Sequence, residues 1–153
     1  MSELEVIDLR LSPWLIPQYV GVRNANAELL LSKPVGEVET RSWLNSADVE
    51  VRCLASDGKT LLGAVILYPE KGGEVAVFVA TPGRGLGSRL LQEVEAVAGS
   101  RGMTGVWAWV LSGNLPAARA FEKAGFRCLG QETRLVGDVR HEGLRFEKGI
   151  LEK

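Results

Sequence analysis

From Glu74 to Leu111 the chain runs a valine-rich strand, a glycine loop, an amphipathic helix and a second apolar strand, an order that few layered folds accommodate. Val75, Val77 and Val79 alternate as a half-buried strand requires. Gly83, Gly85 and Gly87 then space a loop that passes directly into Leu86, Leu90, Leu91 and Val94 at helical intervals. Thr104 to Leu111, TGVWAWVL, reads as a buried strand, and the single helix between the two strands makes them parallel neighbours. Such a loop is suited to anions: glycine permits positive φ and close backbone approach, and the first N–H groups of the following helix have no intrahelical partner. A tight connection that needs glycine for geometry alone would use the same residues. Spacing narrows the ligand. A GxGxxG pattern started at Gly83 or Gly85 would need glycine at Ser88 or Leu90, and a Walker loop would need Gly-Lys where Ser88-Arg89 stand. Dinucleotides and nucleoside triphosphates are therefore disfavoured.

The rest of the chain supplies a meander, further helices and a final antiparallel pair. EVIDLRL, residues 5–11, suits a first strand, and Pro13 opens a helix bearing Trp14, Leu15, Tyr19 and Val22. No clear pattern covers Val22 to Pro34. A second helix follows Gly36 with Val38, Trp43 and Leu44. Val49–Leu54 and Leu61–Leu67 flank the turn Ser56-Asp57-Gly58-Lys59, and a second turn over Pro69–Gly73 leads into a third strand, Glu74–Ala80. The helix after the loop ends near Gly99, with Gly102 beyond it. Asn114 caps a helix over Leu115–Lys123, and Phe126–Leu129 pairs with Leu144–Ile150 across a polar loop around Val136–Glu142. A chain of 153 residues, 46% hydrophobic and 24% charged, is expected to form one domain over 1–153. Net charge is -1 with both signs dispersed, which argues against nucleic acid or an anionic membrane as partner. The acidic N-terminus and the lack of a long apolar run point to a cytoplasmic protein. Cys53 and Cys128 are expected as core thiols, and the lone His141 gives no support to a metal site or a Ser-His-Asp triad.

This element order resembles the GCN5-related N-acetyltransferase (GNAT) family over most of residues 4–150. RGLGSRLL, Arg84 to Leu91, is similar to the family's pyrophosphate loop for acetyl-coenzyme A, and NLPAARAFEKAGF, Asn114 to Phe126, is similar to its Asn-x-x-Ala-x-x-x-Tyr-x-x-x-Gly-Phe motif. The resemblance implies an α/β (α+β) fold: a mixed, mostly antiparallel sheet of about seven strands with a splayed parallel pair, flanked by about four helices. It implies acetyl-coenzyme A as co-substrate, no metal, a small-molecule amine as acceptor, and a homodimer as one assembly open to the fold. The backbone amides of Arg84, Gly85, Leu86, Gly87 and Ser88 would hold pyrophosphate, with Arg89 a phosphate contact or a solvated helix residue. A strand amide near Phe78 or Val79 would serve the oxyanion, and pantetheine would follow the edge from Phe78 to Ala80. Asn114 would cap its helix or touch pantetheine.

Two positions depart from the family pattern. Pro82 stands where Gln or Arg opens the loop motif, and Phe121 replaces the tyrosine that often protonates the coenzyme thiolate; phenylalanine has no proton to give. Phe121 is still expected on the coenzyme side. Glu74 opens the third strand on the face of Ala76 and Phe78 and is the candidate general base, or a solvated strand end. Trp107 and Trp109 share a face, either as core under a helix or as an aromatic wall for the acceptor. Trp107 is an acceptor-side candidate on the aromatic-wall reading; Arg23-Asn24 and Arg41-Ser42-Trp43 resemble segments of bacterial acetyltransferases for amino-sugar nucleotides, which makes Arg23, Asn24, Arg41 and Trp43 acceptor-side candidates, or residues that cap a helix, pair with Glu37 or Glu39, or pack. A catalytically silent acyl-coenzyme A binding domain is the alternative function.

Overall fold

The computed structural model describes residues 3–150, so the two ends of the expected 1–153 domain lie outside the described residues. Seven strands form one sheet in the order β1-β2-β3-β4-β5-β7-β6. Strands β1 (Leu4–Asp8), β2 (Glu50–Ser56), β3 (Thr60–Tyr68) and β4 (Glu74–Val79) are an antiparallel meander. Strand β5 (Gly105–Leu111) runs parallel to β4, with Glu74 and Trp107 as their one register pair, and then β7 (Val139–Gly149) and β6 (Arg127–Val136) continue antiparallel. Past that single pair the two strands part, which opens the sheet at its middle.

Period-two alternation assigns the side chains to two cores. Val75 and Val77 of β4 join Leu90, Leu91, Val94, Phe121 and Phe146 under helices α4 (Leu86–Ser100) and α5 (Leu115–Lys123). Phe78 faces the other way and joins Tyr19, Leu44 and Ile66 under α1 (Ile16–Ala25) and α3 (Glu37–Ser46). The four-residue α2 (Ala27–Leu30) lies in the stretch that carries no pattern in the sequence. The expected fold class holds, with α2 as a fifth helix.

Three expectations fail for local reasons. The first strand stops at Asp8 because its carboxylate accepts from the Arg10 amide at 2.9 Å and turns Leu9–Leu11 into a 3-10 turn. The polar loop around Val136–Glu142 is strand: β6 and β7 pair to Val136 and Val139, leaving only Gly137 and Asp138 between. Cross-strand partners such as Thr133 Oγ1 and Glu142 Oε1, 2.9 Å apart, hold this ribbon where apolar alternation is missing. Cys128 lies on that edge and is exposed, whereas Cys53 is buried, its thiol pushed up to about 12 by desolvation.

The tryptophan face of β5 is covered by arginines instead of a helix. The Arg145 guanidinium sits 4.1 Å from the Trp107 ring centre, and Arg134 sits 5.0 Å from that of Trp109. Gly143 is obligatory beside Trp109, since a Cβ there would collide with the indole ring.

Candidate functional site

A cavity of about 390 Å³ opens at the start of α4. Gly85 is the N-cap residue with φ +73, so the orphan amides of the first turn have no side-chain cap. Arg84, Gly85, Leu86, Gly87 and Ser88 all border the cavity, and its three charged residues, Arg84, Arg119 and Lys123, are cations. Lys123 Nζ comes within 3.3 Å of the place a Cβ on Gly85 would take. A helix N-terminus ringed by cations suits the pyrophosphate and phosphate groups of coenzyme A. Arg89 is not among these residues: it is exposed and reaches Leu4 O at 3.4 Å, because its helical position turns it away from the loop. Arg119 and Lys123 are functional candidates that sequence reasoning missed. Their i, i+4 spacing was readable, but only the packing of Ala120 against Gly87 points them at the loop.

The ladder register decides which β4 amides face the opening. Ala80 donates to Leu62 O at 2.8 Å, and Ala64 lies opposite Phe78. In an antiparallel ladder hydrogen-bonded and non-bonded pairs alternate, so the Phe78 amide turns toward β3 along with that of Ala80. The amides of Val77 and Val79 turn toward the parted β5 instead. Phe78 therefore contributes its side chain, which lines the cavity and packs 5.7 Å from the Tyr19 ring centre, and not an oxyanion donor. Ala80 is exposed, outside the cavity lining, with its amide already bonded. Val79 lines the cavity.

A second cavity, about 250 Å³, lies across the same opening. Leu29, Leu30, Val77, Asn114 and Ala117 border both. Asn114 is buried, and its Oδ1 meets the Ala117 amide only at 3.4 Å, a long cap that leaves the amide group at the junction. Glu74, 8% exposed, lines the second cavity with Oε2 2.6 Å from Arg134 Nη2 and Oε1 4.0 Å from Lys71 Nζ. It is a buried, ion-paired group and no solvated strand end. Phe121 borders this second cavity and not the first; it stacks on Phe146 at 5.5 Å and meets Phe126 edge-on at 4.9 Å.

Among the acceptor-side candidates only some converge. Arg23 lines the second cavity, and its Nη1 donates to the Tyr19 hydroxyl at 3.0 Å. Trp43 lies 5.3 Å from the Arg23 guanidinium in a small adjoining cavity. Asn24 is spent on Val35, donating at 2.9 Å and accepting at 2.8 Å, which pins the loop after α2. Arg41 is exposed on α3, away from these cavities. Trp107 is held by a 2.9 Å bond from its indole to Lys71 O, and Trp109 takes its place in the cavity wall. Tyr68, which sequence reasoning passed over, also lines this wall; burial pushes its phenol up, partly offset by Arg23. No composition or spacing signal marks it, since it reads as the end of an apolar strand.

A sheet parted at a parallel pair, with a cation-ringed helix start on one side and a charged cavity on the other, defines an α/β fold in which two cavities meet between the parted strands. The chain belongs to the acetyltransferase (GNAT) family, whose family model matches residues 11–126. It is 34% identical over 83 residues to the phosphinothricin acetyltransferase-like protein YwnH of Bacillus subtilis (strain 168), a match over 53% of this chain that spans about half of the relative, 49% of its length. In structure it is similar to an N-acetyltransferase from Staphylococcus aureus Mu50, with TM-score 0.80 and 17% identity over 98% of this chain and 100% of that one. It is also similar to yncA from Salmonella typhimurium, solved with its cofactor acetyl-CoA, with TM-score 0.80 and 16% identity over 98% and 95% of the two chains. These two likenesses are of fold.

Proposed function

We propose that this chain is an acetyl-coenzyme A dependent N-acetyltransferase that acetylates the primary amine of a small molecule by direct attack. The observation that carries this reading is the pair of cavities meeting at Val77, Asn114 and Ala117 in the gap between β4 and β5. Acetyl-coenzyme A supplies an activated thioester, and the cationic glycine-loop cavity is where its phosphates fit. The other cavity takes the amine. At about 250 Å³ it is smaller than pockets that enclose drug-sized ligands, roughly 300–1,000 Å³, which favours a small amine over a sugar nucleotide.

Attack forms the N–C bond, breaks the C–S bond, releases one proton from nitrogen and returns one to sulfur. Glu74 borders the amine side and is the candidate to take the proton, directly or through water. The amide of Val77 or Val79 is the candidate oxyanion donor, a reading supported by the ladder register that turns both toward the gap. Holding both reactants across one wall supplies the orientation on which the rate depends. Phe121 leaves the sulfur to be protonated by water.

A second reading, a silent acyl-coenzyme A binding domain, is favoured by that same Phe121. Calorimetry with acetyl-coenzyme A followed by thiol release across amino acids, polyamines and amino sugars separates the two. Binding with turnover supports the enzyme, binding without turnover the silent domain, and no binding at millimolar ligand overturns both. In the enzyme, Glu74→Gln is expected to lower kcat by about 10²-fold or more while acetyl-coenzyme A affinity is retained.

A further inference from the structure

Arg23 is a cation with no carboxylate partner among the described residues. It lines the second cavity from α1, its guanidinium 5.3 Å from the Trp43 ring centre and 6.0 Å from that of Tyr19. Its Nη1 bonds to the Tyr19 hydroxyl at 3.0 Å, and its Nε is buried with no acceptor. Glu39 borders the adjoining cavity of about 210 Å³ but is exposed and does not reach Arg23.

The rest of the cavity does not balance this charge. Its ionisable cations are Arg23, Lys71 and Arg134, and its one carboxylate, Glu74, is already engaged by Arg134 at 2.6 Å and by Lys71 at 4.0 Å. A cavity with three cations against one acid repels a polyamine and attracts an anion. A guanidinium held between aromatic rings keeps its planar fork of donors oriented, which is the geometry that grips a carboxylate or a phosphorus oxyacid by two parallel bonds.

We infer that the acceptor is an amine that also carries a carboxylate, and that Arg23 binds that carboxylate. The inference rests on the transferase reading above, since it names what the second cavity selects. It also helps the chemistry: surplus positive charge disfavours the ammonium form of a bound amine and so favours the neutral nucleophile.

The test compares each of the common L-amino acids with its decarboxylated amine, and adds spermidine, by thiol release with wild type, Arg23→Gln and Arg23→Lys. Wild type is expected to prefer acids over their decarboxylated amines by about 10-fold or more in kcat/KM, mostly through KM. Arg23→Gln is expected to erase that preference and Arg23→Lys to keep part of it, with acetyl-coenzyme A affinity unchanged as the check on folding. Independently of turnover, 3-phenylpropionate is titrated by calorimetry onto the coenzyme A-loaded protein, with 3-phenylpropanol as its uncharged control. Binding of the acid alone, weakened in Arg23→Gln, supports the inference. Equal use of acids and amines, a preference for spermidine, or acid binding that is absent or insensitive to Arg23→Gln overturns it. Acid binding that depends on Arg23 without turnover of any acceptor counts against the transferase reading alone.

Discussion

Gly85 shows at the scale of one residue how the loop's conformation and its chemistry coincide. Its φ of +73 is one a β-branched residue avoids, and a side chain there would press on Lys123. Gly85→Val is therefore expected to weaken acetyl-coenzyme A binding by roughly 100-fold or more, through distortion of the amides proposed to hold phosphate, with far-UV circular dichroism unchanged. Calorimetry checks it. Phe121→Tyr adds one hydroxyl at the border of the second cavity; a higher kcat would show that sulfur protonation limits turnover, and an unchanged kcat that water suffices. The glycines were legible because backbone freedom is written in residue type. Arg23 was legible only as part of a short resemblance, and Tyr68 not at all, because what makes either one notable is the set of side chains that other elements bring around it.

At the scale of elements, the C-terminal turn of α4 is clasped to the start of β2. Arg101 bonds Asp48 at 2.8 Å and Glu50 at 2.7 Å. Burial would raise the Glu50 carboxyl, but the bonds from Arg101 and the nearby Arg52 outweigh it and hold it below its ordinary value. A carboxyl with a lowered folded pKa contributes stability above its unfolded pKa of about 4.3, and that contribution is lost as pH falls through the folded value. Arg101→Ala is thus expected to cost about 1 kcal/mol at pH 7, with the difference from wild type shrinking below about pH 4. Urea melts across that range check it. Gly143→Ala is expected to cost roughly 1–3 kcal/mol by driving Trp109 off its seat. The same melts read this, together with a rise in acceptor KM. Helix α5 was legible to the residue from its Asn114 cap and following Pro116, since both are local signals. The base of the β6–β7 ribbon was legible as an antiparallel pair, but its extension to Val136 and Val139 was not, since those outer strands are set by pairing with each other and carry charge on both faces.

For the molecule as a whole, the two cavities reach one gap from opposite sides, so in the proposed reaction both ligands can be present together. Initial-rate lines for acetyl-coenzyme A and acceptor are expected to intersect; parallel lines would mean an acyl-enzyme instead. The thiols agree with this, as Cys53 is buried in the α1-side core and Cys128 is on the β6 edge, so neither borders the gap. The meander, the crossover and the parallel pair were legible because each rests on alternation or on chain connectivity. The placement of β7 between β5 and β6 was not, being a choice of neighbours that no local pattern encodes.

The partition between the cavities has a further consequence. Leu29 and Leu30 come from a four-residue helix followed by a loop, whereas Val77, Asn114 and Ala117 come from the sheet and from α5. All five border both cavities, so a change at any of them touches the proposed coenzyme side and the proposed amine side together. Leu31 and Ser32 after that helix, and Val136 at the tip of the β6–β7 ribbon, border the second cavity alone, so a library confined to these three is expected to shift acceptor preference while acetyl-coenzyme A affinity is retained.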